Sequence, residues 1–227
     1  MKFKNVFLLS LVLSFIFIGC SQDDSDILDG NCDYVDFRYL YDEQLFIGEM
    51  SNDYLVVGFD TIFSDEDIQF FISGLKKFDQ SYDYPSTRRT NRKFSEVLLK
   101  LKRSQSCRKI TRIISDLEEN DIVAYAHFTS SAEDCLSWFT GQPIGSLCVN
   151  SYSCRVNTKL LSEDNFLELN RLMDETNTTL VERDSLICRF RVTKSSTADA
   201  LAMANFFFET GLFEWAEPEI SRIVAEE

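Results

Sequence analysis

The hydrophobic pattern changes period repeatedly along this chain, most legibly in its second half. An alternating run over about 149–159 gives way to a helical pattern over about 163–176. Strand patterns over about 179–183 and 186–193 follow, joined at Asp184-Ser185, then a helix over 197–209 and a last strand over 212–217. Apolar residues at three- and four-residue spacing mark the helices, and period-two alternation marks the strands. In the 186–193 run Leu186, Cys188, Phe190 and Val192 share one face, while Ile187, Arg189 and Arg191 share the other. The first half repeats the scheme less cleanly, with an extended Tyr54 to Phe59, a helix after Ser64, a strand from Glu96 to Lys102, a helix over Cys107 to Asn120 and a strand from Ile122 to Phe128. In each half a serine followed by acids opens the first helix, Ser64-Asp65-Glu66-Asp67 and Ser162-Glu163-Asp164. The hydroxyl suits an N-cap and the acids suit the positive end of the helix dipole. A leading hairpin, roughly Tyr39 to Phe59 with its turn at Ser51-Asn52-Asp53, precedes the first helix.

Ile122-Val123-Ala124-Tyr125-Ala126-His127-Phe128 and Leu212-Phe213-Glu214-Trp215-Ala216-Glu217-Pro218 align without gaps at an offset of 90, and the helix starts at an offset of 98. The difference falls in an insertion over Gln80 to Arg92, which holds Pro85 and the basic residues Arg88, Arg89 and Arg92 and reads as an exposed loop. The pattern βαββαβ predicts an α+β fold of the ferredoxin-like type, an antiparallel sheet with both helices on one face. Two tandem units are expected, a divergent one over 34–135 and a clearer one over 136–227.

The first residues read as an address. A basic Met1-Lys2-Phe3-Lys4 precedes an apolar run from Val6 to Ile18, the length of a signal-peptide core and short for a membrane span. The run ends Phe17-Ile18-Gly19-Cys20, which resembles the lipobox of bacterial lipoproteins, with Phe17 where the motif usually has leucine. That resemblance implies a signal peptide over 1–19, lipidation of Cys20 with palmitate-type chains, and anchoring in the outer membrane. Residues 20–33 then form an acidic tether, and Ser21-Gln22-Asp23-Asp24 is similar to the surface-export signal of lipoproteins in gut-dwelling anaerobic Gram-negative bacteria. The same acids also serve as a solvated spacer.

Composition narrows the partners. Of 227 residues, 23 are Lys or Arg against 37 Asp or Glu, a net charge of −14. Loss of residues 1–19 would leave 21 against 37, or −16. Such a chain lacks the basic surface that phosphate neutralisation requires, so nucleic acid is not an expected partner. Thirty aromatic residues exclude an acidic disordered chain. The single histidine, His127, excludes a zinc site built on several imidazoles, and no cofactor or metal is expected.

The segment from Ala198 to Pro218, Ala198-Asp199-Ala200-Leu201 through Asn205, Glu209 and Gly211 to Ala216-Glu217-Pro218, resembles the end of the propeptide-like domain ahead of the catalytic domain in subtilisin-like serine peptidases. The resemblance covers about 145–222, and the last twenty-five residues carry most of its specificity. It implies a domain that templates folding of a peptidase, docks the helix-free face of its sheet on it, and lays a C-terminal tail in the substrate cleft. Carried over, Arg155, Arg189 and Arg191 form a basic stripe on the docking face, Glu217 and Pro218 end the last strand, and Glu219, Ile220, Val224 and Glu227 belong to the tail. For the arginines, a solvated face with cross-strand pairs is the alternative. Nine residues follow Pro218, and no Asp, His and Ser segments of the subtilase kind occur. The expectation is therefore a surface-tethered lipoprotein with no catalysis of its own, which binds a subtilisin-like peptidase in trans and inhibits it or assists its folding. The alternative is a remnant of a peptidase precursor.

Six cysteines remain besides Cys20, and export permits disulfides. Cys154 and Cys188, both on core-facing positions of strands that neighbour one another in a βαββαβ sheet, are the preferred pair, with buried free thiols as the alternative. A Cys135/His127 pair supplies nucleophile and base in residue type only, without supporting spacing.

Overall fold

In the computed structural model, residues 32–84, 89–90, 94–137 and 140–225 are described, those at 89–90 as backbone alone. A short hairpin, β1 (Phe37–Leu40) and β2 (Glu43–Phe46), comes first. The first half of the body follows as β3 (Met50–Asp60), α1 (Asp65–Ser73), β4 (Arg89–Thr90), β5 (Phe94–Lys100), α2 (Cys107–Glu118) and β6 (Val123–Ser131). The second runs β7 (Cys148–Leu160), a 3-10 turn at Glu163–Asn165, α3 (Phe166–Thr176), β8 (Thr179–Asp184), β9 (Ile187–Arg191), α4 (Ala200–Glu209) and β10 (Phe213–Val224). Strands β3 to β10 form one eight-stranded sheet with antiparallel pairings. Its order is β4-β5-β3-β6-β7-β9-β8, and β10 pairs with β7.

Within each half the last strand lies beside the first, the first beside the third and the third beside the second: β6-β3-β5-β4 and β10-β7-β9-β8. That is the strand order of the split βαββαβ fold, and the protein is an α+β protein of that ferredoxin-like kind. The halves meet where β6 pairs β7 at only two positions, Ser130↔Asn150 and Ser131↔Val149. The sheet thus runs on across 135/136, the point at which two units were expected to part.

The helices form where the caps and periods point. Ser64 accepts from the Asp67 backbone N–H while Asp67 reaches back to the Ser64 N–H, a reciprocal capping box. Helix α2 buries Ile110, Ile113 and Leu117 against Leu55, Val57, Phe59, Val97 and Leu99. Each such side chain contributes roughly 2 kcal/mol on burial. Asp199 caps α4 by accepting from Ala202 N–H at 2.9 Å. Almost apolar all round, α4 sits between the sheet and the β1–β2 hairpin, burying Leu201, Met203, Ala204 and Phe207 beneath it. Its one buried amide, Asn205, donates to Phe37 O at 3.0 Å and accepts from Tyr39 N–H at 3.3 Å, so the hairpin is fastened to the helix by both halves of a single side chain.

Several expectations are corrected. The leading hairpin turns at Tyr41, whose φ is +55°, and Ser51-Asn52-Asp53 lie inside the long strand β3. The third strand of the first half starts two residues early, at Phe94, because its register on β3 runs Asp60↔Phe94 to Tyr54↔Lys100. Arg89–Thr90, expected in a loop, pairs with β5. Cys154 and Cys188 are free and buried in different clusters, Cys154 against Phe94 and Tyr125, Cys188 in the helix-side core. The disulfides are Cys32–Cys107 and Cys135–Cys148. The last strand runs to Val224, with Ile220↔Tyr152 and Val224↔Cys148 in register, so residues 219–224 are sheet and not a free tail.

Candidate functional site

Alternation along β7 and β9 divides the second half of the sheet into two faces. Val156, Leu160, Cys188 and Phe190 pack under the helices. Arg155, Asn157 and Lys159 with Ile187, Arg189 and Arg191 take the opposite face. The three arginines expected on a docking face are therefore brought together, Arg155 directly opposite Arg191. Like charges in register are unfavourable unless compensated, and acids supply the compensation. Arg155 lies 3.9 Å from Glu219, whose carboxylate also accepts from Ser153 Oγ at 2.7 Å. Arg189 donates to Asn157 at 2.7 Å and pairs with Glu182, and Arg191 lies over the Phe94 ring. The face is a half-exposed mosaic of ion pairs and not an unbroken basic stripe.

The remaining expected residues scatter. Glu217 pairs with Arg38 of the hairpin at 3.4 Å. Pro218 is buried opposite Val156 beside a bulge, where a missing N–H is tolerated. Ile220 packs on the helix-side core, and Val224 fills the space against Gly145. Cys20 and Glu227 lie outside the described residues. Cys135 is bonded to Cys148, so it offers no nucleophile to His127.

A second site, which the sequence reading did not assemble, lies between α2, β6 and the segment that leads into α4. A cavity of about 480 Å³ is lined by Thr111, Ile114 and Glu118 of α2, by Ala126 to Phe128 of β6, and by Thr193 to Ala202 at the entry to α4. His127 belongs to it. Its ring stacks between Tyr125, at 4.8 Å, and Tyr152, at 5.0 Å, it is 3% exposed, and neither ring nitrogen has a hydrogen-bond partner. Burial pushes its pKa down to about 4, against the opposing pull of the Asp199 carboxylate, so the ring is neutral at pH 7. Tyr152 donates to Asp199 at 3.1 Å, and burial, reinforced by that carboxylate, raises its phenol well above the usual range. Glu118 accepts from Ala126 N–H at 3.1 Å, and burial raises its carboxyl pKa.

Why the ring sits there follows from β3. Gly58 lies opposite Tyr125, and a Cβ at Gly58 would fall 2.2 Å from the Tyr125 ring. The missing side chain lets Tyr125 lie across β3 and donate to the buried Glu96, which leaves His127 beside Tyr152. Alternation places His127 and Tyr125 on one strand face, and that much was legible. Tyr152 belongs to the other half and comes near only when β6 and β7 join.

Among the described residues no group of three or more His, Cys, Asp or Glu is placed to hold a metal, and no helix is long and apolar enough to cross a membrane. No family model matches the chain, and no curated protein matches it. Among solved structures, the small subunit of acetolactate synthase from Thermotoga maritima aligns at 10% identity over 75% of this chain and 94% of that chain, with a TM-score of 0.25. A likeness of that size carries no argument about this chain. The class of the protein accordingly rests on its own strand order: an α+β protein with a ferredoxin-like strand order in each half.

Proposed function

We propose that this chain is a non-catalytic lipoprotein, anchored through Cys20 in the outer membrane and facing the cell surface, that binds a subtilisin-like serine peptidase in trans and inhibits it or assists its folding. The observation that carries the reading is the half-exposed helix-free face of the second half, which holds Arg155, Arg189 and Arg191 on the segment whose sequence resembles a peptidase propeptide. Mixed charge on such a face sets orientation and association rate more than affinity. Docking by a C-terminal tail is not part of this reading, because residues 219–224 are held in β10 along the length of β7.

The test uses purified residues 20–227 with a panel of subtilisin-like peptidases. The expected result is slowed cleavage of a small chromogenic substrate, or a higher yield of active peptidase on refolding. Arg189→Glu with Arg191→Glu should weaken either effect at least tenfold, since reversing rim charges mainly lowers the association rate. No effect on either readout across the panel overturns the proposal.

A further inference from the structure

Charge is unevenly placed along this chain. From Lys76 to Arg112 the sequence has twelve basic residues and three acidic ones, in a chain of net charge −14. The fold gathers half of those twelve around one groove of about 460 Å³. Lys76 and Lys77, which follow α1, line it with Lys102 and Arg103, which follow β5, and with Lys109 and Arg112 of α2, and all six are exposed. Leu101 and Ile113, both buried, give the groove an apolar floor. Gln105 adds an amide whose N–H donates to Arg103 O at 2.9 Å, leaving its oxygen to accept from a hydroxyl. Among the described residues no carboxylate lies on the lining.

The backbone, and not counter-charge, holds these cations together. Lys102 N–H donates to Lys77 O at 3.0 Å and Phe78 bridges Leu101, so the two basic pairs are carried side by side. Lys77 pairs with Asp116 at 2.8 Å, whereas Lys76, Lys102, Arg103 and Arg112 have no ion pair among the described residues. Asp79, close enough to Lys102 to feel its charge, accepts from Ser81. Helix α2 adds to the crowding. Its first turn holds Arg108 and Lys109 and no acid, at the end where the helix dipole favours anions, and Arg108 stands one turn before Arg112. Helix α1 opens instead on Asp65, Glu66 and Asp67. Like charges set against the dipole and against one another oppose folding, and such local conflict is the mark of a functional surface.

Cations on three flanking segments call for more than one anionic group, and guanidinium and ammonium donors call for oxyanions. The apolar floor suits the flat side of a ring, and the volume suits a small molecule. We propose that this groove binds a sugar carrying several sulfate or phosphate esters, its ring over Leu101 and Ile113 and its esters among the surrounding lysines and arginines. The groove shares no residue with the arginine face of the second half, so it stands or falls apart from the peptidase reading.

The test is calorimetric titration of the purified mature chain at pH 7 with a trisulfated heparin disaccharide and with fructose bisphosphate, whose separate responses tell a sulfate source from a phosphate source. The unsulfated disaccharide, inorganic phosphate and a short DNA duplex are run at the same concentrations. The expected result is saturable one-to-one binding of at least one sugar ester at micromolar concentration, and none of the unsulfated disaccharide or inorganic phosphate. Binding should weaken from low to physiological salt, as screening shortens the reach of the cations. Lys102→Gln with Arg112→Gln should weaken it at least tenfold, while the melting temperature of the free protein holds or rises because like charges are removed. Arg171→Gln with Arg183→Gln, an equal loss of charge outside the groove, should leave the affinity unchanged. Failure of both esters to bind, equal binding of inorganic phosphate, tighter binding of the duplex than of either ester, or equal affinities in the two double variants would each overturn the assignment.

Discussion

The two halves of the sheet share a strand order and treat their helix-free faces differently. In the first half that face is covered. Tyr54 and Leu98 lie under Tyr82 of the inserted segment and under Val149, Ile223 and Ala225 from the second half. Even the acid on this face, Glu96, is 4% exposed and accepts from Tyr125. In the second half the corresponding strands present Arg155, Asn157, Arg189 and Arg191 half-buried, with Arg155 and Arg189 facing acids and Arg191 lying over the Phe94 ring. Tyr82 and Tyr84 of the inserted segment thus cover this face of their own half, and Ile223 and Ala225 at the end of β10 complete the cover. What distinguishes a structural face from a candidate docking face here is whether the chain supplies its own covering segment.

That contrast can be broken at several points. The largest effect is expected from Cys32→Ser with Cys107→Ser, which opens a link across 75 residues that ties the leading segment to α2. Chain-entropy arguments put the loss at about 4 kcal/mol, measured by urea unfolding. Next, Leu98→Ala should cost about 3 kcal/mol, because it empties a fully buried site under the lid. Arg189→Ala, on the matching strand of the open half, should cost less than about 1 kcal/mol in the same assay. Equal losses would mean that the second face is as closed as the first.

His127 gives a pH-dependent test of similar size. Its pKa is lowered from 6.5 to about 4 in the folded state, so between those values the unfolded chain binds more protons and stability falls as the pH drops. The full shift corresponds to about 3 kcal/mol. His127→Phe, which preserves the stacking, should remove that part of the slope between pH 6.5 and 4. Glu118, whose pKa is raised by burial, acts in the opposite sense, since its folded form holds its proton to higher pH. Glu118→Gln should therefore steepen the acid loss slightly, and a pH series of unfolding midpoints for both variants separates the two. A smaller effect is expected from Gly58→Ala, about 2 kcal/mol, as Tyr125 shifts to admit a Cβ. Its signature is a changed His127 imidazole resonance, because the stack moves with the Tyr125 ring.

Much of the architecture was legible because it depends on near neighbours in the chain. The capping box at Ser64, the cap at Asp199 and the apolar stripe of α2 are local, and so is the alternation of Cys188, Phe190 and Val192 against Arg189 and Arg191. The errors arose where partners are distant. Ser51-Asn52-Asp53 has turn chemistry, yet β3 runs straight through it, with Gln105 N–H bonded to Asn52 O and Leu101 N–H to Asp53 O. The cysteine pairing failed because neighbouring strands do not guarantee a shared cluster: Cys154 is drawn to Phe94 and Tyr125 across the junction of the halves. The tail reading failed because β7, thirteen residues long, offers an edge that Ile220 to Val224 can satisfy, and unpaired backbone groups beside a free edge would be wasted.

By itself, then, the sequence determined the helices, the periods of the strands, the order βαββαβ in the second half and the face on which its arginines lie, since each follows from spacing and caps within a few residues. Only the tertiary structure decided that the halves join through two register pairs of one sheet, that one helix-free face is covered and the other half-exposed, and that His127 is buried beside carboxylates contributed by α2 and by the start of α4. Those outcomes depend on contacts between residues far apart in the chain, and a local pattern specifies which face a side chain takes without specifying what will lie against it.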